Sequence, residues 1–240
     1  MQNGIYRFRH FFSNIKREAV VIVVFLIVSS SLQAENYKSA ETLYQSGQHE
    51  QAFQKLHILA KNGNLDAQFN LGRMYLQGNG TQQNYPAARR CFLQAAEKGD
   101  AGAQFNLGNM YKNGLGTERD CRKACFWYLK AAEKQYAPAQ YALGILFSNG
   151  CGVKFNPYKA TDWFMKAAQN GMPEAQYQMG YRYYKGIGIA CDKKLAYEWM
   201  VEAARQDHSS AIQFLENHFD KRNTTIQSSR PGSKKNREIH

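Results

Sequence analysis

Residues 103–134 read AQFNLGNMYKNGLGTERDCRKACFWYLKAAEK, and the pattern of this stretch returns every 36 residues along the chain. Aligned on Ala67, Ala103, Ala139, Ala175 and Ala211, four units run without a gap from 67 to 210. Spacing that regular marks a repeat array, in which each unit buries its apolar face by stacking on its neighbours. With the anchoring Ala counted as position one, the Leu or Met at position five and the aromatic at position nine share its helical stripe, so each unit opens with a helix, A. Position six is Gly in every unit (Gly72, Gly108, Gly144, Gly180). A helix-interior Gly costs about 1 kcal/mol against Ala, so its recurrence predicts close approach of another helix.

The paired glycines at positions twelve and fourteen (Gly78/Gly80, Gly114/Gly116, Gly150/Gly152, Gly186/Gly188) predict the end of helix A and a turn, because Gly supplies the left-handed conformation that closes a helix. Four residues later stands Asn84, Asp120, Asn156 or Asp192, the expected N-cap of a second helix, B. Helix B carries Ala88, Ala124, Ala160 and Ala196, the aromatics Phe92, Trp127–Tyr128, Trp163–Phe164 and Trp199, and an Ala pair near its end. Small residues facing large ones let antiparallel helices interdigitate. None of the G-x-G pairs extends to G-x-G-x-x-G or follows a strand, so they end helices and cradle no nucleotide.

The pattern A-x-x-x-L-G-x-x-Y-x-x-G-x-G, then Asx, then K-A-x-x-W-Y-x-K-A-A-E-x-G resembles the Sel1-like repeat, a relative of the tetratricopeptide repeat. Its best single match is Ala103 to Lys134. Departures are Cys91 in place of Trp, Gln135 and Asp207 in place of the closing Gly, and Met200 in place of the second aromatic. The resemblance implies an all-α fold, an α-α superhelix (solenoid) of Sel1-like/tetratricopeptide-like helical hairpins, in which helix A lines a concave ligand face. It also implies a non-catalytic scaffold for a protein or peptide partner in bacterial signalling, envelope assembly or host interaction. The alternative, drawn from cysteine-rich relatives, is a protein that binds or hydrolyses β-lactams or peptidoglycan.

Outside residues 67–102, 103–138, 139–174 and 175–210, the segment 35–66 reads as a shorter tetratricopeptide-like hairpin and 211–219 as a closing helix with Glu216 where Gly would stand. The net charge of +12 is mostly terminal. Residues 1–34 hold four Lys/Arg and one acid, residues 221–240 six and one, which leaves +4 over 35–220 and no phosphate-tracking stripe for specific nucleic-acid binding. Residues 220–240 lack apolar periodicity and read as a disordered basic tail. In residues 1–34, Arg7, Arg9, Lys16 and Arg17 precede the apolar run Ala19–Val28 and a Ser-rich stretch that ends at Ala34, the signature of an export signal. The chain is therefore expected in the periplasm or secreted, the alternative being an inner-membrane anchor formed by residues 19–34. Membrane affinity is assigned only to that segment and weakly to the tail.

No H-E-x-x-H, P-loop or G-x-S-x-G occurs, and the only S-x-x-K, Ser13–Lys16, lies in the leader, so no catalytic residue, metal site or cofactor is assigned. The cysteines are Cys91, Cys121, Cys125, Cys151 and Cys191, an odd number that leaves a thiol over. Cys151 and Cys191 lie in turns of adjacent units and are candidates for a disulfide; Cys121 with Cys151 is the other pairing that stacked turns permit. Cys91 reads as a core thiol, and Cys121 and Cys125 share a helix face. The candidate partner-binding residues occupy the second stripe of helix A, at positions three, seven and ten: Phe69, Arg73, Phe105, Asn109, Tyr141, Tyr177, Tyr181 and Tyr184. Rings supply apolar contact area while variable neighbours set specificity. The rings at position three could equally pack between successive A helices, whereas the three tyrosines of the last unit are expected at the surface, where their hydroxyls find water.

Overall fold

A computed structural model describes residue 32 and residues 34–219, and the predicted export segment and basic tail lie almost wholly outside these. The described residues form helices joined by short turns: α1 (34–45), α2 (His49–Lys61), α3 (Leu65–Gln77), α4 (Tyr85–Glu97), α5 (Ala101–Asn113), α6 (Cys121–Glu133), α7 (Ala137–Asn149), α8 (Pro157–Gln169), α9 (Pro173–Lys185), α10 (Lys193–Arg205) and α11 (Ser209–His218). No strand occurs among them, and the fold is an all-α helical repeat of the superhelix class. By contacts the chain divides after Lys98 into an N-terminal unit ending with α4 and a C-terminal unit beginning with α5.

Each repeat is an A/B hairpin: α3/α4 in the N-terminal unit, and α5/α6, α7/α8 and α9/α10 in the C-terminal unit. The glycine at position six does what its spacing predicts. A Cβ on Gly72 would lie 2.8 Å from the Phe92 ring, on Gly108 2.6 Å from Tyr128, on Gly144 2.6 Å from Phe164 and on Gly180 2.8 Å from Met200. Each ring or thioether of helix B fills the space that the missing side chain of helix A leaves. The B-helix caps also form as read: Asn84, Asp120, Asn156 and Asp192 each accept an amide of the first turn.

The paired glycines divide two tasks. The first ends helix A in the left-handed conformation, at φ +77° in Gly78 and +71° in Gly186. At Gly80, Gly152 and Gly188 the second brings its turn onto the start of the preceding B helix. A Cβ on Gly80 would sit 2.2 Å from the His49 carbonyl oxygen, and one on Gly188 2.2 Å from that of Pro157. Other inter-repeat bonds keep the same period. The Gln at position two donates to the penultimate carbonyls of the preceding B helix, as Gln68 does to Ala60, Gln140 to Ala132 and Gln176 to Ala168. Position 32 reaches the carbonyl that closes the preceding repeat: Lys98 to Gly63, Lys134 to Gly99, Asn170 to Gln135 and Gln206 to Gly171.

Two of the sequence departures carry strain. Gln135 and Asp207 adopt φ +59°, the left-handed region that Gly63, Gly99 and Gly171 occupy at the same place. A non-glycine residue there costs about 1–2 kcal/mol. Gln135→Gly is therefore expected to stabilise the chain by about 0.5–1 kcal/mol after the extra freedom that Gly gives the unfolded state. Urea denaturation of the variant beside wild type measures it, and a loss of stability would contradict it.

Candidate functional site

The rings at position three are held halfway into the fold. Phe69 meets Phe92 at 6.0 Å between centroids, Phe105 meets Tyr128 at 5.7 Å and Tyr141 meets Phe164 at 5.4 Å. Thus the ring that replaces the position-six side chain also props up the position-three ring, and each remains partly exposed. Tyr141 gains a second tether, a hydrogen bond with the Gln178 side chain on α9; burial, then the Glu174 carboxylate, push its hydroxyl above the ordinary tyrosine range. Phe105 is also backed by Tyr136 at 5.6 Å. Arg73 is exposed, its guanidinium 5.9 Å from the Phe69 centroid. In the C-terminal unit, Phe105, Tyr141 and Tyr177 repeat at one register position on α5, α7 and α9.

Two expectations about this stripe are corrected. Asn109 does not offer its carboxamide oxygen to a partner: the oxygen accepts a 2.6 Å bond from the hydroxyl of fully buried Tyr128. The tyrosines of the last repeat are half-buried rather than fully at the surface. Tyr177 stacks on His208 at 5.0 Å, while Tyr181 and Tyr184 meet Phe214 of α11 edge-on at 6.3 and 5.1 Å. The closing helix needs an apolar seat, and these rings provide it, half-buried beside Phe214.

The disulfide also departs from the Cys151–Cys191 candidate. Cys151 bonds Cys121, with Cα atoms 5.6 Å apart, inside the range a disulfide spans. The turn geometry decides it. Gly152 lies against the Cys121 backbone, with a hypothetical Cβ 2.4 Å from its carbonyl carbon, so its neighbour Cys151 faces the start of α6. Cys191 stays in its own turn, its thiol donating to the Tyr184 carbonyl at 3.5 Å. Cys125 is buried and Cys91 half-buried, packed against the core of the N-terminal unit; burial pushes the Cys91 thiol up to about 11. With the disulfide intact, a maleimide at neutral pH is expected to modify exposed Cys191 rapidly and Cys91 and Cys125 at least tenfold more slowly, because the thiolate is the nucleophile. Mass mapping of the labelled peptides checks this, and rapid labelling of Cys125 would contradict it.

Sequence reasoning passed over Arg182. It stands at position eight, where the other repeats place buried Met74, Met110 and Leu146, and it is itself buried. Its Nη1 donates to the Thr161 hydroxyl at 3.0 Å and to the Pro157 and Ile187 carbonyls at 3.3 Å, and its Nη2 to Ser148 at 2.6 Å. The guanidinium lies 4.7 Å from the Phe164 centroid, and loss of hydration lowers its pKa from the usual arginine value. Arg182 thus ties the turns of the last two repeats together. A cation at a core position of the register was the signal available in the sequence.

The Sel1 repeat family matches four consecutive segments, 65–100, 101–136, 137–172 and 173–208. No curated protein matches the chain. Among solved structures it is similar to a Sel1 repeat protein from Oxalobacter formigenes, 34% identical over 75% of this chain and 72% of that one, with a TM-score of 0.69. It is also similar to a protective antigen of uropathogenic Escherichia coli displaying an SLR fold, 31% identical with a TM-score of 0.71 over 77% of this chain. This chain spans only 41% of that antigen's length. A sel1 repeat protein from Klebsiella pneumoniae, 22% identical with a TM-score of 0.52, shares the fold over 77% of this chain and 92% of its own. With four repeats in unbroken register, each built on a position-six glycine packed against a large side chain of helix B, this chain belongs to the Sel1 repeat family.

Proposed function

We propose that the protein is an exported, non-catalytic scaffold that holds a protein or peptide partner against the A-helix faces of its repeats. Sel1 repeat proteins generally act as scaffolds for protein interactions. The observation that carries the reading here is the row Phe105, Tyr141 and Tyr177. The rings recur at one register position and are held half-exposed, two of them propped by a B-helix aromatic and Tyr177 stacked on His208. Rings already held in place lose little conformational freedom on binding, so more of the contact energy appears as affinity. The position-four residues beside them differ from repeat to repeat (Asn106, Ala142, Gln178) and supply selectivity. The Cys121–Cys151 bond supports export, because such bonds persist in oxidising compartments.

The test is a pull-down with wild type and a Phe105→Ala/Tyr141→Ala variant, each with its unfolding midpoint measured. The variant is expected to lose its specific partner by at least about tenfold while remaining folded, as removal of central aromatic anchors does. Tyr181→Ala/Tyr184→Ala is expected instead to loosen α11 and lower stability. Equal recovery of every partner by a folded Phe105/Tyr141 variant would remove the reading.

A further inference from the structure

The charges of the C-terminal unit are sorted by edge. The glycine turns and the first turns of α6, α8 and α10 come together at one end of the hairpins, where Gly152 abuts the Cys121 backbone and Gly188 that of Pro157. This end exposes Arg122, Lys123, Lys154, Lys159, Lys193 and Lys194. Its acids are Glu118, Asp120 and Asp192. Two of these are spent on helix caps, Asp120 accepting from the amides of Arg122 and Lys123, and Asp192 from those of Lys194 and Leu195. Glu133, Asp162, Glu198 and Glu202 fall on later turns of the B helices, and Glu174 begins α9 at the other end.

Apolar groups stand among the cations. Phe155 is 61% exposed, Tyr158 69% and Ile187 37%, the first two bracketed in sequence by Lys154 and Lys159. Lys159 and Lys193 also run past aromatic faces, their ammonium groups 5.7 Å from the centroids of Phe147 and Tyr184. Rings and an aliphatic tip amid snorkelling lysines match the interfacial zone of a bilayer, whose outer layer is charged and whose inner layer is apolar.

We propose that this turn edge docks the protein on an anionic bilayer, with Phe155, Tyr158 and Ile187 entering the headgroup boundary and the surrounding lysines meeting lipid phosphates. Charge complementarity selects an anionic surface, since the six cations named above outnumber the three acids of the edge. Lipid is favoured over nucleic acid for two reasons. Ile187 has no face on which a base could stack, whereas it suits an acyl boundary. The Cys121–Cys151 bond lies in this same edge and belongs to oxidising compartments, where membrane surfaces are present and nucleic acid is scarce. The sequence placed membrane affinity in the termini; this edge is a third, folded element, independent of any partner on the A-helix faces.

The test is co-sedimentation of the full chain with vesicles of phosphatidylcholine alone and of phosphatidylcholine mixed with phosphatidylglycerol, read as the ratio of the two affinities. Each cation near such a surface contributes about 1 kcal/mol, so K154Q/K159Q/K194Q is expected to lower the preference for anionic vesicles about a hundredfold. F155S/Y158S is expected to remove the part of the binding that survives high salt. A tail variant, K234Q/K235Q/R237Q, is expected to keep most of the preference. All three sets change exposed or tail residues, and equal unfolding midpoints confirm that folding is intact. A triple lysine variant that binds like wild type, a tail variant that loses the whole preference, or tighter binding of wild type to single-stranded DNA or polyglutamate than to the vesicles would each overturn the proposal.

Discussion

Gly188→Ala is expected to lower the stability of the C-terminal unit by about 3–5 kcal/mol, whereas Gly171→Ala, also at positive φ, is expected to cost only about 1 kcal/mol. The two positions share the conformational penalty, at φ +64° and +82°, and differ in their surroundings. A Cβ on Gly188 would meet the Pro157 carbonyl oxygen at 2.2 Å and the Thr161 hydroxyl at 2.8 Å, while one on Gly171 would meet nothing within 4 Å. The excess at Gly188 is therefore the cost of lifting the last turn off the start of α8, together with the Arg182 bonds to Thr161, Pro157 and Ile187. Urea denaturation followed by tryptophan fluorescence reads both variants, since Trp163 and Trp199 lie on α8 and α10. Equal losses would show that turn docking contributes nothing.

Reduction of the Cys121–Cys151 bond, or Cys151→Ser, is expected to cost about 3–4 kcal/mol, the loop-closure entropy that a cross-link spanning 30 residues removes from the unfolded chain. The bond joins the turn of one repeat to the B helix of the one before it, so its loss loosens that junction and leaves the contacts inside each hairpin. Cys151→Ser should become insensitive to reductant, and Cys191→Ser should behave as wild type does. A non-reducing digest is expected to yield one linked pair of peptides, carrying Cys121 and Cys151. A Cys151–Cys191 pair, or a Cys151→Ser variant as stable as wild type, would refute this assignment.

Much of the fold was legible because its signals are periodic. Gly at position six beside a large residue at position 26, two glycines at twelve and fourteen, and Asx at eighteen each state a local requirement that recurs four times in one register. Close packing, helix termination and capping are local demands, so spacing conveys them. The candidate site was less legible. Position three was recognised as aromatic, but whether a ring faces solvent or a neighbour depends on the element that arrives beside it. Tyr177 is half-buried against His208, and Tyr181 and Tyr184 against α11, and nothing in their own repeat announces that. Asn109 looked available because the hydroxyl it serves belongs to Tyr128, 19 residues away on the facing helix.

The period alone settled the helical class, the number of repeats, the helix ends and the task of most glycines, since these follow from backbone conformation and from volume at fixed separations along the chain. Tertiary structure decided which cysteine Cys151 meets, how deeply each ring lies and why a cation can occupy the core at Arg182. These depend on how one repeat's turn sits on the preceding B helix. At Gly80, Gly152 and Gly188 the second glycine of the pair sets that seat, for only a residue without a side chain lets the turn touch the backbone beneath it.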